Sequence, residues 1–268
     1  MVLSTPPSRR RIVPLWSCSL VHPLLTWIFP VAFLRSRAVT AQFRYITLMT
    51  IFPEQVRTVY FDAVGTILFP DPPVALAYHQ AGQRYGSRRS LDEVRRAFSA
   101  AFAAEERRDR ESGNRTDSRR EWDRWQRIVQ ATFPDVSGLE GECLFDDLWN
   151  HFALSTNWRV APEADRLLSG LKQRGLQVGI ASNFDRRLVT IVSELPVLNH
   201  SSVVVRYSEE IGWRKPAPEF FAALCAGEPP HQVMLVGDDR TNDYDGARAA
   251  GLHAILLDDH LTLRDLLP

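Results

Sequence analysis

After Trp158 short β-rich runs alternate with helical stretches, and that alternation admits few folds. Val178–Ala181, Val203–Tyr207, Val233–Val236 and Ala254–Leu257 read as strands, each bounded by turn-forming residues. Between and around them Ala161–Arg174, Arg187–Leu195, Pro218–Ala226 and Asn242–Ala250 read as helices, and a short helix starts at Thr262. Gly175 and Gly251 are placed as helix stops, and Pro218 sits in a first turn, where its missing N–H costs nothing. Strands that alternate with helices build βαβ units and a parallel sheet. Strands this apolar suit a sheet covered on both faces. An earlier run, Thr58–Phe61, supplies one more strand. From about Val74 to Ser155 no strand is evident, and apolar residues recur at helical spacing, as in Leu91, Val94, Phe98, Phe102 and in Trp122, Trp125, Ile128, Val129. Three or four helices are expected there. The fold class is therefore α/β, a Rossmann-like parallel sheet, with a core over residues 56–72 and 157–268 and a helical insert over 73–156.

In an open parallel sheet ligands bind beyond the carboxyl ends of the strands. Four short motifs fall at such ends. Phe61-Asp62-Ala63-Val64-Gly65-Thr66 holds a carboxylate before a tight turn. Ala181-Ser182-Asn183 offers a hydroxyl and backbone N–H groups suited to a phosphoryl oxygen. Arg214-Lys215-Pro216-Ala217-Pro218 holds a lysine beside prolines, where it can neutralise an anion. Gly237-Asp238-Asp239-Arg240-Thr241-Asn242-Asp243 packs carboxylates that repel unless a cation sits among them, and hard oxygen ligands suit Mg²⁺. Each motif alone has an ordinary structural reading, as a cap, a turn or a solvated loop. Together they place Asp62, Ser182, Lys215 and Asp238 within reach of one site.

Composition narrows the partners. Lys+Arg and Asp+Glu both count 32, so the formal net charge is zero, and nothing overall favours nucleic acid or an acidic membrane. Only two lysines occur, Lys172 and Lys215, which makes the lysine position in the third motif more informative. Three scattered cysteines form no CxxC pair and suit reduced thiols in a cytoplasmic protein. The arginines from Arg84 to Arg127 are interleaved with acids such as Glu105, Glu106 and Asp109, and are expected to form a solvated helical face of mixed ion pairs. Residues 1–50 do not match the rest. Arg9-Arg10-Arg11 precedes an uncharged stretch from Ile12 to Leu34, broken by Pro14, Pro23 and Pro30. A disordered or artefactual extension, a targeting or anchoring segment, and a start at Met49 all remain open.

The order and spacing of the four motifs resemble the haloacid dehalogenase superfamily over about Val56 to Asp258. The insert after the first strand looks like its C1-type helical cap. Ala181-Ser182-Asn183-Phe184-Asp185-Arg186-Arg187-Leu188 and Gly212-Trp213-Arg214-Lys215-Pro216 look most like the hydrolase-domain-containing 3, or rhythmically-expressed-gene-2-like, group. The resemblance implies that Asp62 is a covalent nucleophile. It implies Mg²⁺ held by Asp62, the Val64 backbone carbonyl and Asp238, with Asp243 as a ligand or orienting its waters. Thr66, Ser182, Asn183 and Lys215 are implied to hold the phosphoryl group, and Lys215 to offset charge at the nucleophile. The implied activity is phosphatase action on a small phosphorylated metabolite.

One departure bears on that activity. Phosphatases of the superfamily usually carry a second Asp two residues after the nucleophile, as general acid and base; Val64 stands there. Such a group is typically worth ~10²–10⁴ in rate. Three readings follow: a phosphatase with slow turnover, a good leaving group, or a substitute carboxylate such as Asp71 or Asp239; a protein that binds a phosphorylated ligand or partner without efficient hydrolysis; and a 2-haloacid dehalogenase, whose halide needs no proton but whose fourth motif lacks this acid cluster. Trp122, Trp125 and Trp158 are candidates for a pocket or for the core of the insert.

Overall fold

The computed structural model describes residues 51–201 and 203–267. The readings of residues 1–50 lie outside the described residues. Five strands form one parallel sheet: β1 (Thr58–Phe61), β4 (Gln177–Ser182), β5 (Val204–Tyr207), β6 (Val233–Gly237) and β7 (His253–Leu256), in the order β5-β4-β1-β6-β7. The order changes direction at β1, the leading strand, which therefore lies in the middle with β4 on one side and β6 on the other. Residues on the two faces alternate, as the pleat requires. Val59 and Phe61 enter one core with Leu167, Leu168 and Ile180, while Tyr60 enters the other with Phe220, Phe221 and Leu235. Both cores are closed by helices, which is why these strands read as apolar runs without polar alternation.

The register fixes what meets at the carboxyl edge. Phe61 pairs with Ile180 on one side and with Val236 on the other. The next residue on each strand is thus Asp62, Ala181 and Gly237, at one level, and Asp62 donates its backbone N–H to the Val236 carbonyl at 2.8 Å. Two strands too short to stand out in the sequence, β2 (Leu68–Pro70) and β3 (Trp158–Val160), pair antiparallel. They bracket four helices: α1 (Val74–Arg84), α2 (Leu91–Glu111), α3 (Ser118–Thr132) and α4 (Gly138–His151). These helices share a core of their own around Tyr78, Val94, Ile128, Phe133 and Leu144. The start of α2 follows from its sequence: Ser90 accepts from the Glu93 N–H, and the Glu93 carboxylate accepts from the Ser90 N–H. Among the described residues no helix is long and apolar enough to cross a membrane.

Two expectations change. The stretch read as one α-helix from Asn242 to Ala250 divides: Arg240–Asp245 forms π-type turns and only Gly246–Ala249 is α-helical. Asp239 caps the start through the Thr241 and Asn242 N–H groups, and the wider turn brings Asp243 back under the strand end. The second change concerns the arginine-rich insert. The ion pairs are present, but their centre is buried. Asp109, Glu121 and Arg124 are each 2% exposed or less. Asp109 accepts from Arg120 at 2.5 Å and Arg124 at 3.0 Å, and Glu105 from Arg108, Arg120 and Arg127. Arg214 completes the cluster from the other half of the chain, pairing with Glu121 and lying 3.3 Å from Asp109. Sequence spacing along the helices shows the pairs; it does not show that a distant arginine seals them from water.

Removing one partner of a buried ionic cluster leaves the others uncompensated, which typically costs about 3–5 kcal/mol. Asp109→Ala is expected to lose about that much stability in urea unfolding. A loss of only a few tenths would mean that water screens the cluster.

Candidate active site

The site begins with one ammonium group. Lys215 follows β5 by a single helical turn, Ser208–Ile211, and a loop, and its side chain is buried, 2% exposed. Its Nζ donates to Asp62 Oδ1 at 2.6 Å, to Asp243 Oδ1 at 2.5 Å and to the Ala181 carbonyl at 3.0 Å. An ammonium has three donors, and all three are used. The backbone of Lys215 is held as firmly: its N–H donates to Asn183 Oδ1 at 2.7 Å and its carbonyl accepts from Asn183 Nδ2 at 3.0 Å. Asn183 is thus a clamp that ties the lysine loop to the end of β4, while Ser182 beside it lines the cavity above.

Asp62, Asp238 and Asp243 offer carboxylate oxygens that all lie within 4.8 Å of one another. Asp62 and Asp243 are buried and Asp238 stands exposed at the mouth. Thr66 is buried behind it and donates its hydroxyl to Asp238 Oδ1 at 2.9 Å, so this threonine sets the carboxylate and does not line the cavity. Asp243 is fixed from its other oxygen by the Asp239 N–H at 3.1 Å. Two glycines make the approach possible. Gly65 has φ +95°, and a Cβ there would run into the Asp238 carboxylate; a Cβ on Gly237 would run into that of Asp243.

Three carboxylates face one ammonium, so the floor carries excess negative charge. Burial pushes the Asp62 carboxyl up to about 7; the Lys215 charge pulls it down, and the Asp243 charge adds to the rise. Burial by itself would lower the Lys215 pKa, but Asp243 and Asp62 outweigh it and hold the ammonium well above its ordinary value. Hard carboxylate oxygens at this separation, with negative charge in excess, fit a divalent cation such as Mg²⁺.

Above this floor lies a cavity of about 370 Å³ between the sheet edge and the helical insert. Asp62, Val64, Ser182, Lys215, Asp238 and Asp243 line its base, and Trp125 and Trp158 line its wall. Trp122 does not; it is 36% exposed and packs on Phe145 and Trp149. Asp71 is exposed outside the cavity, and Asp239 lines it but spends its carboxylate on helix capping. Three wall arginines were given no site role from the sequence: Arg124, Arg187 and Arg214. Arg187 pairs with buried Asp185 at 2.7 Å, donates to the Trp149 carbonyl at 2.9 Å and stacks 3.6 Å from the centre of the Trp149 ring. The signal for it was present in Asp185-Arg186-Arg187, an acid two residues before an arginine just past a strand end.

A group whose folded pKa is raised stabilises the fold fully below its ordinary value of 3.8, and that contribution is lost as pH rises through about 7. Asp62→Asn removes the loss. In the presence of a chelator the variant is expected to melt a few degrees above the native chain at pH 8, and the gap should narrow at pH 5. A gap that is absent or widens toward acid would refute the excess-charge account.

Comparison with known proteins accords with this arrangement. A family model described as a haloacid dehalogenase-like hydrolase matches residues 56–251. The haloacid dehalogenase-like hydrolase domain-containing protein 3 of Bos taurus is 30% identical over 209 residues, 76% of this chain and 82% of that protein. A phosphoserine phosphatase of Thermus thermophilus is 36% identical over 106 residues, 39% of this chain and 43% of its own. Among solved structures a hydrolase from Bacillus subtilis, bound to magnesium, superposes with a TM-score of 0.61 at 20% identity, over 75% of this chain and 88% of that one. The carboxyl-edge site and these matches together identify the chain as a member of the haloacid dehalogenase-like hydrolase family.

Proposed function

We propose that this protein is a Mg²⁺-dependent phosphatase acting on a small phosphorylated metabolite through an aspartyl-phosphate intermediate on Asp62. The observation that carries the reading is the gathering of Asp62, Asp238 and Asp243 within 4.8 Å around Lys215 at the base of the cavity. In this reading residues 73–156 act as a cap over a core of residues 56–72 and 157–268. The metal would be held by Asp62, Asp238, Asp243 and the Val64 carbonyl. When bound it supplies charge neutralisation and polarises the phosphoryl oxygens. Every other part of the chemistry belongs to the chain. Lys215 pins one oxygen of Asp62, so the carboxylate is presented in one orientation for in-line attack. A cation among the three acids favours the ionised carboxylate, which is the attacking form. Ser182 lies beside the incoming phosphoryl group, and Lys215 offsets the charge that builds up there. Asn183 and Thr66 act one step back, through Lys215 and Asp238.

A second reading rests on Val64. It occupies the position of the usual proton donor, and neither Asp71 nor Asp239 presents a free carboxylate in its place. The site then binds a phosphorylated ligand with little turnover. A dehalogenase is disfavoured, because three clustered carboxylates serve a cation and hinder an approaching halocarboxylate.

Calorimetric titration is expected to detect one Mg²⁺ per chain, and Asp238→Asn to weaken it at least tenfold; no binding heat would defeat the metal assignment. With Mg²⁺, an aryl phosphate of low leaving-group pKa should be hydrolysed and Asp62→Asn should be inert. Val64→Asp should raise turnover of an alkyl phosphate by a factor on the order of 10² or more. A folded Val64→Asp protein with unchanged alkyl phosphate turnover would show that proton donation is not what the site lacks.

A further inference from the structure

The wall of the cavity has a chemical character that its floor does not dictate. Tyr78, Phe98, Phe102, Trp125, Trp149 and Phe152 make it aromatic on the side of the insert. They form a connected set: Tyr78 meets Phe98 at 4.8 Å between ring centres and Phe152 at 5.9 Å, and Phe102 meets Trp125 at 6.2 Å. Basic side chains also reach this wall, and each is already matched by an acid. Arg124 is held by Asp109 at 3.0 Å and Glu106 at 2.5 Å, Arg187 by Asp185 at 2.7 Å, and Arg214 by Glu121. Lys215 is committed to the floor. Glu106, which lines the cavity itself, is in turn spent on Arg124. Above the phosphoryl position the cavity therefore offers flat apolar contact and no spare positive charge for a carboxylate or a second phosphate.

The floor adds an independent restriction. Val64 lines the cavity, at the position where phosphatases of the superfamily this chain resembles carry the proton donor for the departing oxygen. An oxygen that leaves there leaves as an anion, which an alkoxide does poorly and a phenolate does well.

We propose that the site is selective for aryl phosphate monoesters whose leaving group is a neutral, flat, aromatic body bound among the insert's rings. This rests on the phosphatase reading and names its substrate class. The step balances without a protein acid. An Asp62 carboxylate oxygen bonds to phosphorus as the bond from phosphorus to the aryl oxygen breaks, and the electron pair departs on the phenolate, which takes its proton from solvent. Water then cleaves the aspartyl phosphate, restoring the Asp62 carboxylate and giving inorganic phosphate, with the released proton passing to solvent.

Two measurements on the full chain with Mg²⁺ separate this proposal from the reading beneath it. The first is binding of 1-naphthylmethylphosphonate and of methylphosphonate, followed by tryptophan fluorescence. The naphthyl compound should bind at least tenfold more tightly, and Trp125→Ala should bring the ratio of affinities close to one. The second is kcat/KM for 1-naphthyl phosphate, acetyl phosphate and 3-phosphoglycerate. Acetyl phosphate has the better leaving group, so a tenfold preference for 1-naphthyl phosphate reports the aromatic wall; 3-phosphoglycerate should be the poorest of the three. Equal binding of the two phosphonates, or a preference for acetyl phosphate or 3-phosphoglycerate, overturns the aryl class even where hydrolysis occurs. Tight, selective naphthyl binding with none of the three esters hydrolysed supports the ligand class and overturns the phosphatase reading.

Discussion

The buried ammonium of Lys215 is the contact on which the arrangement depends. It joins three segments far apart in the chain: the tip of β1 through Asp62, the end of β4 through the Ala181 carbonyl, and the turns after β6 through Asp243. A lone buried lysine loses charge, and a lone buried carboxylate gains a proton. Here Asp62 and Asp243 hold the ammonium charged, the ammonium opposes the burial that raises the Asp62 carboxyl to about 7, and the hydrogen-bond geometry around Nζ fixes where the carboxylates point. The balance is incomplete by design of the residues present, since one cation faces three acids. The floor is consequently poised to take up further positive charge, and burial keeps that demand from being met by solvent.

Much of this was legible before the fold was known, for a definite reason. Parallel strands covered on both faces must be apolar throughout, and their ends must carry the turn residues that release the chain. Asp62, Ser182 and Asp238 stand at such ends, so the sheet periodicity located them. Lys215 was found through its flanking prolines and the scarcity of lysine in the chain. The pairing of β2 with β3 was not legible, because strands of three residues carry no period. The π-type turns after Asp239 were hidden for a different reason: the Asn242–Ala250 sequence is compatible with an α-helix, and only the pull of Asp243 toward Lys215 and the Asp239 N–H widens it. Tertiary contacts overrode local preference at the site itself.

The insert shows the same limit more sharply. Acids and arginines at helical spacing along α2 and α3 suggest exposed i,i+4 pairs, each worth a few tenths of a kcal/mol. In the folded chain Arg214 enters from the loop that carries Lys215, and the cluster closes over it. Adjacent residues of one loop thus serve different halves of the molecule: Arg214 is fixed by the acids of the insert and Lys215 by those of the sheet. A shift of the insert helices strains the same short segment that sets the lysine against Asp62. Coupling between the cavity wall and its floor needs no long pathway, because it crosses a single peptide bond.

Val64 then gains a meaning beyond a missing acid. A carboxylate at that position would sit beside Asp62, Asp238 and Asp243 and add a fourth negative charge to a floor that already holds an excess. It would also place a polar group at the base of an aromatic cavity whose wall arginines are all paired. Valine avoids both costs and extends the apolar lining to the base of the cavity. In the phosphatase we propose, what is given up is proton donation, and that loss matters in proportion to the basicity of the departing oxygen. An apolar residue at this position and an aromatic wall above it therefore suit the same proposed chemistry: bodies that pack well against rings and leave readily without a proton.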